Sequence, residues 1–155
     1  MKSMVDIEII LDEKYKDPKV VIHTKARTKQ VENIIDAIEN ASENDFPMIP
    51  ASSESGLELI SQRDIIRVFT QGRKVMVETA AKQYTVSKTL TSIEEMLNPD
   101  RFIRISQSEV ANIYKVKCFD INITGTIGVE FENGVKSWAS RSRVKAIKAM
   151  IREYT

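Results

Sequence analysis

From Leu57 to the C-terminus the sequence is cut into short alternations of apolar and polar residues separated by turn formers, and this rhythm constrains the fold more than any other feature. LELIS, IIRVFT, KVMVET, KQYTV, FIRIS, IYKVKCFDINIT, TIGVEFE and VKSWAS each read as a strand, because successive side chains on a strand point to opposite faces. Gln71-Gly72-Arg73 and Thr124-Gly125-Thr126 supply turns. Asn133-Gly134 tolerates the positive φ of a two-residue type I′ hairpin, a register that sets Val129 opposite Trp138 as a core pair. Two helices interrupt the strands. One lies near residues 89–97, where Thr91-Ser92-Ile93-Glu94 fits a capping box; the other starts after Ser140 as its N-cap, with Val144, Ile147, Ile151 and Tyr154 along its buried face.

The first third of the chain has a different texture. Val5, Ile7 and Ile9 alternate with Asp6 and Glu8, KDPKV supplies a turn, and KVVIHT reads as a second strand. Thr28 fits an N-cap, and Val31, Ile34, Ile35, Ile38 and Ala41 follow helical spacing. Residues 1–46 therefore form an expected β-β-α unit whose helix stripe must pack on its own sheet or on a second subunit. Residues 47–56 resemble a linker, although Phe46, Met48 and Ile49 can supply one more strand, and residues 57–155 form the β-rich domain.

The chain has 155 residues, 42% of them hydrophobic, enough for one cored domain with a small appendage. No apolar run approaches the ~20 residues that span a bilayer, and the acidic N-terminus is a poor secretory signal. The single cysteine, Cys118, excludes an internal disulfide or a multi-cysteine metal site. Its expected place is a small core residue on a strand, and the expected compartment is the cytoplasm. The formal net charge of +1 hides an asymmetry: residues 1–55 carry seven Lys and Arg against eleven Asp and Glu, whereas residues 134–155 carry six basic residues and one acid. A basic C-terminal part suits a polyanionic partner.

Catalytic chemistry has no foothold. The one histidine, His23, sits in the N-terminal strand pair, with no nucleophile elbow near it. Ser140-Arg141-Ser142-Arg143 lacks a serine-x-x-lysine spacing, and the five glycines are scattered rather than gathered into a phosphate loop. A receiver domain does not fit into the roughly 50 residues that precede the β-rich part. An enzyme is not expected, nor is any cofactor, metal or small-molecule substrate. The polar residues gather instead at the ends of elements: Gln71, Arg73 and Lys74 in one turn, Ser106, Gln107 and Ser108 after a strand, and Arg141, Ser142, Arg143 and Lys145 at the last helix. Arginine and glutamine can read guanine and adenine edges bidentately, while serine, lysine and helix-start N–H groups suit phosphates.

RFIRISQSEVANI followed by FENGVKSWASRSRVKAIKAMI resembles the LytTR family of DNA-binding domains. The carriers are Phe102 and Arg104, then Ser106-Gln107-Ser108, then Val110-Ala111-Asn112, the Asn133-Gly134 hairpin, and the Ser140-Arg141 step into a basic helix. The resemblance covers about residues 57–155. It implies a mostly β fold (α+β overall) of short strands in stacked antiparallel sheets with a C-terminal helix. It also implies that loops rather than a recognition helix enter the major groove, that a promoter duplex (direct repeats included) is bent, and that Arg104 joins the DNA-contacting set. The N-terminal piece looks like that of stand-alone bacterial LytTR regulators, which implies a homodimer and an inhibitory protein partner, in some cases a membrane protein. Gln107 stands where the family often has a basic residue or asparagine. Glu109 beside a phosphate would repel it, so it must turn away or binding is weaker. The competing reading is a protein-interaction module whose basic turns are incidental.

Overall fold

The computed structural model describes residues 5–42, 46–121 and 125–153. The chain divides into two compact units, Met1–Ile38 and Glu39–Thr155.

In the first unit, residues 5–24 form no strand and their side chains are exposed. This corrects the expected β-β pair. The alternation is present, but two strands alone bury too little apolar surface to be stable in water, and no third strand joins them. The expected helix does form, as α1 (Lys29–Ser42). Thr28 caps it, its Oγ1 accepting from the Val31 N–H at 3.4 Å, and Arg27 pairs with Glu32 on the first turn.

The second unit begins earlier than the strand rhythm suggests. Of the two readings open for residues 47–56, linker or one more strand, residues 49–53 take the second: β1 (Ile49–Ser53) pairs antiparallel with β2 (Gly56–Ile60). Strands β3 (Ile65–Gln71), β4 (Lys74–Thr79) and β5 (Gln83–Val86) follow, then α2 (Leu90–Met96), β6 (Phe102–Ser106) and β7 (Glu109–Asn112). These seven strands make one antiparallel sheet in the order β2-β1-β5-β4-β3-β7-β6. Strands β8 (Val116–Ile121), β9 (Ile127–Phe131) and β10 (Lys136–Ala139) make a second sheet, and α3 (Val144–Arg152) ends the described chain. Ile49, Val68, Val77 and Val110 of the large sheet pack with Leu90 and Ile93 of α2 in one core. Ile66, Ile105 and Ala111 pack with Val129 and Phe131 of the small sheet and Ile147 of α3 in a second. The large sheet is thus covered by a helix on one face and a stacked sheet on the other.

Several local expectations move by a residue or two. The cap of α2 is Thr89, whose Oγ1 accepts from the Ser92 N–H at 3.1 Å, and not the Thr91–Glu94 box. Residues 113–115 form a 3-10 turn before β8. At the β9–β10 turn only Gly134 has positive φ (+86°), and its N–H bonds to the Phe131 carbonyl at 2.9 Å. A glycine in the left-handed region after a tight turn adds one residue to the connection. The register therefore pairs Val129 with Ser137, and Trp138 with Gly128. A one-residue slip turns every side chain to the opposite face, so Trp138 is exposed over Gly128 and Ser137 points inward. Cys118 is exposed as well: β8 is irregular between Val116 and Cys118, and the thiol shares the outer face with Glu130. A 3-10 turn, Arg141–Arg143, separates Ser140 from α3, which therefore starts at Val144. Ile147 is fully buried and Ile151 half-buried, as the helical spacing predicts; Tyr154 and residue 124 of the expected TGT turn lie outside the described residues.

Between the sheets lies a charged knot. The two-residue turn after Gln71 sets Arg67 opposite Glu78, and β3–β7 pairing brings Glu109 beside it. Arg67 Nε donates to Glu78 Oε2 at 2.8 Å, and its Nη1 to Glu109 Oε1 at 2.8 Å. Gln83 and Asn133 donate to Glu78 at 2.7 and 3.2 Å, and Ser137 Oγ donates to Glu109 at 3.0 Å. The guanidinium also lies 3.9 Å from the Phe69 ring centre. Burial disfavours charge on Glu78, but the hydrogen bonds and positive charge of Arg67, with those of Gln83 and Asn133, outweigh it and hold its carboxyl below the usual range.

Removing one member of such a knot leaves the others charged and dry. Arg67→Ala should cost about 3–5 kcal/mol, read as a fall in the urea midpoint. Because the folded carboxyl of Glu78 is depressed, its share of stability is present above the unfolded glutamate pKa of ~4.3 and is lost as pH falls through the folded value. Acid titrations of the unfolding free energy should therefore show a shallower loss below about pH 4 in Glu78→Gln than in the native chain.

Candidate nucleic-acid interface

The candidate site lies at one end of the large sheet. β3 and β6 run in the same direction and both finish there, β3 in the Gln71–Lys74 turn and β6 in the turn at Ser106–Ser108. Gly72 at φ +61° occupies the first central position of the β3–β4 hairpin, where a non-glycine residue would be strained. The two turns are hydrogen-bonded neighbours, since the Thr70 N–H donates to the Ser108 carbonyl at 2.9 Å. The third segment joins from the small sheet: as β10 ends, the Ser140 N–H donates to the Ile105 carbonyl at 2.8 Å. Three segments far apart in sequence thus form one row, the Gln71–Lys74 turn, then Ser106–Ser108, then Ser140–Arg143.

The row is polar and exposed. Gln71, Arg73, Lys74, Gln107, Ser108, Arg141, Ser142 and Lys145 are all exposed, and Ser106 and Arg143 are half-buried. The described ion pairs engage none of Arg73, Lys74, Arg141, Arg143 and Lys145; four of these cations and Gln107 are exposed, and Arg143 is half-buried. The serines are tied into their turns: Ser106 Oγ lies 3.2 Å from Ser108 Oγ, and Ser140 Oγ lies 3.2 Å from Ser142 Oγ. Ser106 Oγ also accepts from the Ser108 N–H at 3.2 Å.

Arg104 differs from expectation, and Glu109 takes one of the two placements that the sequence leaves open. Arg104 was assigned to the contacting set, but its guanidinium folds back into the molecule. Its Nε donates to the Ser106 carbonyl at 2.6 Å, its Nη2 to the Gln107 carbonyl at 2.5 Å, and its Nη1 pairs with Glu94 of α2 at 3.3 Å. These bonds use the fork of arginine donors to gather the carbonyls of a tight turn, which aims the Gln107 side chain outward. Glu109 turns away from the row: it is buried and paired with Arg67, so it sets no exposed acid beside the cations. The Ser106–Ser108 turn is therefore braced from behind by Arg104, and the adjoining Glu109 is held by Arg67.

Those supporting partners escaped sequence reasoning. Arg67 and Glu78 interrupt the apolar runs IIRVFT and KVMVET on facing strands, and counting outward from the Gly72-Arg73 turn would have paired them. Glu94 has no comparable signal, because its approach to Arg104 depends on how α2 packs. Asn112 of the VAN triplet is fully buried; its Nδ2 donates to the Ile65 carbonyl at 2.7 Å and its Oδ1 accepts from the Tyr114 N–H at 3.0 Å, so it locks β7 to the start of β3.

The chain is similar to known proteins. The family model of the LytTr DNA-binding domain matches residues 55–152, which include all three turns. A transcriptional regulatory protein LytR of Staphylococcus aureus is 30% identical over 128 residues, 83% of this chain and 51% of that protein; the chain spans about half the length of the LytR regulators it matches. An uncharacterized HTH-type transcriptional regulator of Staphylococcus aureus is 23% identical over 145 residues, covering 94% of this chain and 97% of that one. A solved LytTr DNA-binding domain from Bacillus cereus superposes with a TM-score of 0.64 at 18% identity, over 68% of this chain and 96% of that one. With the family model spanning more than half of its residues, the chain belongs to the LytTR family of DNA-binding domains.

Proposed function

We propose that the chain is a transcriptional regulator that binds double-stranded promoter DNA sequence-specifically through its three-turn row, as a cytoplasmic homodimer and without catalysis. The observation that carries this reading is the convergence of the Gln71–Lys74, Ser106–Ser108 and Ser140–Arg143 turns, with five cations that no described ion pair engages and the exposed Gln107. In this reading Gln107 reads a base edge in the major groove, the geometry in which an amide discriminates adenine. Arg73, Lys74, Arg141, Arg143 and Lys145 bracket it on phosphates, which fix register and supply salt-dependent affinity. Serine hydroxyls add phosphate contacts. A row of turns reaching both walls of a groove favours a bent duplex, so sequence-dependent deformability contributes to selectivity. Arg104 and Glu109 act from behind the row and touch no DNA. The interaction-module reading is served by a different surface: Leu57 and Leu59 are exposed on β2, an edge strand with one unpaired side, and an inhibitory partner protein would have that edge available.

Selection of bound DNA from a random pool, followed by titration of the selected site and of random duplex at two salt concentrations, tests the reading. Arg141→Ala should weaken binding to both duplexes and reduce the log–log salt slope by about 0.9, with unchanged unfolding; equal affinity and equal slope would remove Arg141 from the interface. Gln107→Ala should lose ~1–3 kcal/mol on the selected site only, and an equal loss on random DNA would show that it reads no base. Arg104→Met, which removes the brace but no phosphate contact, should lose selected-site affinity while keeping the native salt slope; a reduced slope would mean that Arg104 reaches a phosphate after all.

A further inference from the structure

Helix α3 carries a charge pattern that the three turns do not use. From Arg141 to Arg152 there are five basic residues and no acid. Val144, Ile147 and Ile151 recur at helical spacing and pack into the core between the two sheets. At 3.6 residues per turn, Lys145, Lys148 and Arg152 then fall within about 60° of one another, on one flank of the helix beside that apolar stripe. Lys145 and Arg152 are exposed and Lys148 is half-buried. Around β8, by contrast, each lysine has an acid: Lys115 pairs with Glu132 at 3.3 Å and Lys117 with Glu130 at 3.9 Å.

Such a stripe destabilises a helix standing alone. Cations three or four residues apart repel one another. Lys145 also stands in the first turn, where the helix dipole disfavours positive charge, and no acid in that turn offsets it. A run of phosphates along the flank relieves both penalties. The helical rise sets Lys145 and Arg152 about 10 Å apart along the axis, the length over which one DNA strand presents about three phosphates.

We infer that Lys148 and Arg152 extend the DNA contact beyond the three turns, taking phosphates that flank the sequence being read. The inference rests on the DNA-binding reading and adds to it a contact that is indifferent to sequence, since phosphates position a duplex and carry no base information. The flank is continuous with the row, because α3 begins directly after the turn that the Ser140–Ile105 bond holds at the end of β6. A duplex fits the stripe better than an anionic lipid surface does. A helix that lies on a membrane needs a free apolar face, and the apolar face of α3 is spent on the core, with only Ala146 and Ala149 exposed among its uncharged residues.

The test compares two duplexes on the full chain: the selected site trimmed to its shortest bound length, and the same site extended by about 10 base pairs, one helical turn, of random sequence on each side. The native chain should bind the extended duplex more tightly and with a steeper salt dependence. Lys148→Gln/Arg152→Gln should lose that gain, its log–log slope on the extended duplex falling by about 0.9 for each phosphate lost, while its affinity for the trimmed duplex stays native. Lys148→Arg/Arg152→Lys should keep the gain. An unchanged fluorescence melt of Trp138, the one tryptophan, reports an intact fold in each variant. A native chain that binds both duplexes alike, or a glutamine variant that weakens both alike, would overturn the inference and leave the three-turn reading standing. Capture of the native chain by phosphatidylglycerol vesicles, lost in the glutamine variant while the extended duplex gives no gain, would assign the stripe to a membrane surface and overturn it equally. A native chain that binds neither duplex would sink the DNA-binding reading, and this inference with it.

Discussion

Arg67 is held between two carboxylates at 2.8 Å each, and the geometry of the second unit depends on that pairing. Three strands of the large sheet supply the charged members, and the β9–β10 hairpin and β10 supply Asn133 and Ser137. The two stacked sheets are therefore fixed by directional bonds as well as by the apolar core between them. Hydrophobic contacts alone tolerate sliding; a buried charge with several partners does not, because any displacement leaves a dry charge unpaired. Position matters here because the small sheet delivers the Ser140–Arg143 turn to the end of β6.

The row of three turns follows from strand direction. Antiparallel pairing of β3 with β7 and of β7 with β6 sends two turns to the same end, and the Thr70–Ser108 and Ser140–Ile105 bonds close the gaps between the three segments. The chain thereby presents one polar, cationic edge built from turns rather than from a helix. Its rigidity comes from behind, where Arg104 gathers the Ser106 and Gln107 carbonyls and leans on Glu94. Charge is divided accordingly: Arg73, Lys74, Arg141 and Lys145, which no described ion pair engages, are exposed, and the acid nearest the turn, Glu109, is paired inside.

Much of this was legible because strand patterns and turn residues act locally. The alternation in β3 and β4 and the glycine at 72 fix a hairpin from neighbouring residues alone, and the basic turn before α3 stands out by charge. What was not legible depends on distant partners. Asn133-Gly134 fits two turn geometries that differ by one residue, and the choice, which decides whether Trp138 faces in or out, is made where Asn133 donates to Glu78 on another sheet. Arg104 has the residue type of a phosphate contact, and the tight turn beside it, together with Glu94 of α2, draws the guanidinium back. Cys118 shows how one irregularity in β8 exchanges the faces of a strand. The N-terminal stretch has strand alternation without strands, because alternation states which face is apolar and says nothing of what covers it.

The central claim is that three sequence-distant turns act as one DNA-contacting edge. Backbone amide chemical shifts, followed while a selected duplex is titrated into the full chain, test it most directly. The account predicts that the large changes fall together on residues 71–74, 106–108 and 140–145, with β2 and the outer face of the small sheet unmoved. Large changes centred on β2 or around Trp138, with Gln107 and Arg141 silent, would contradict it.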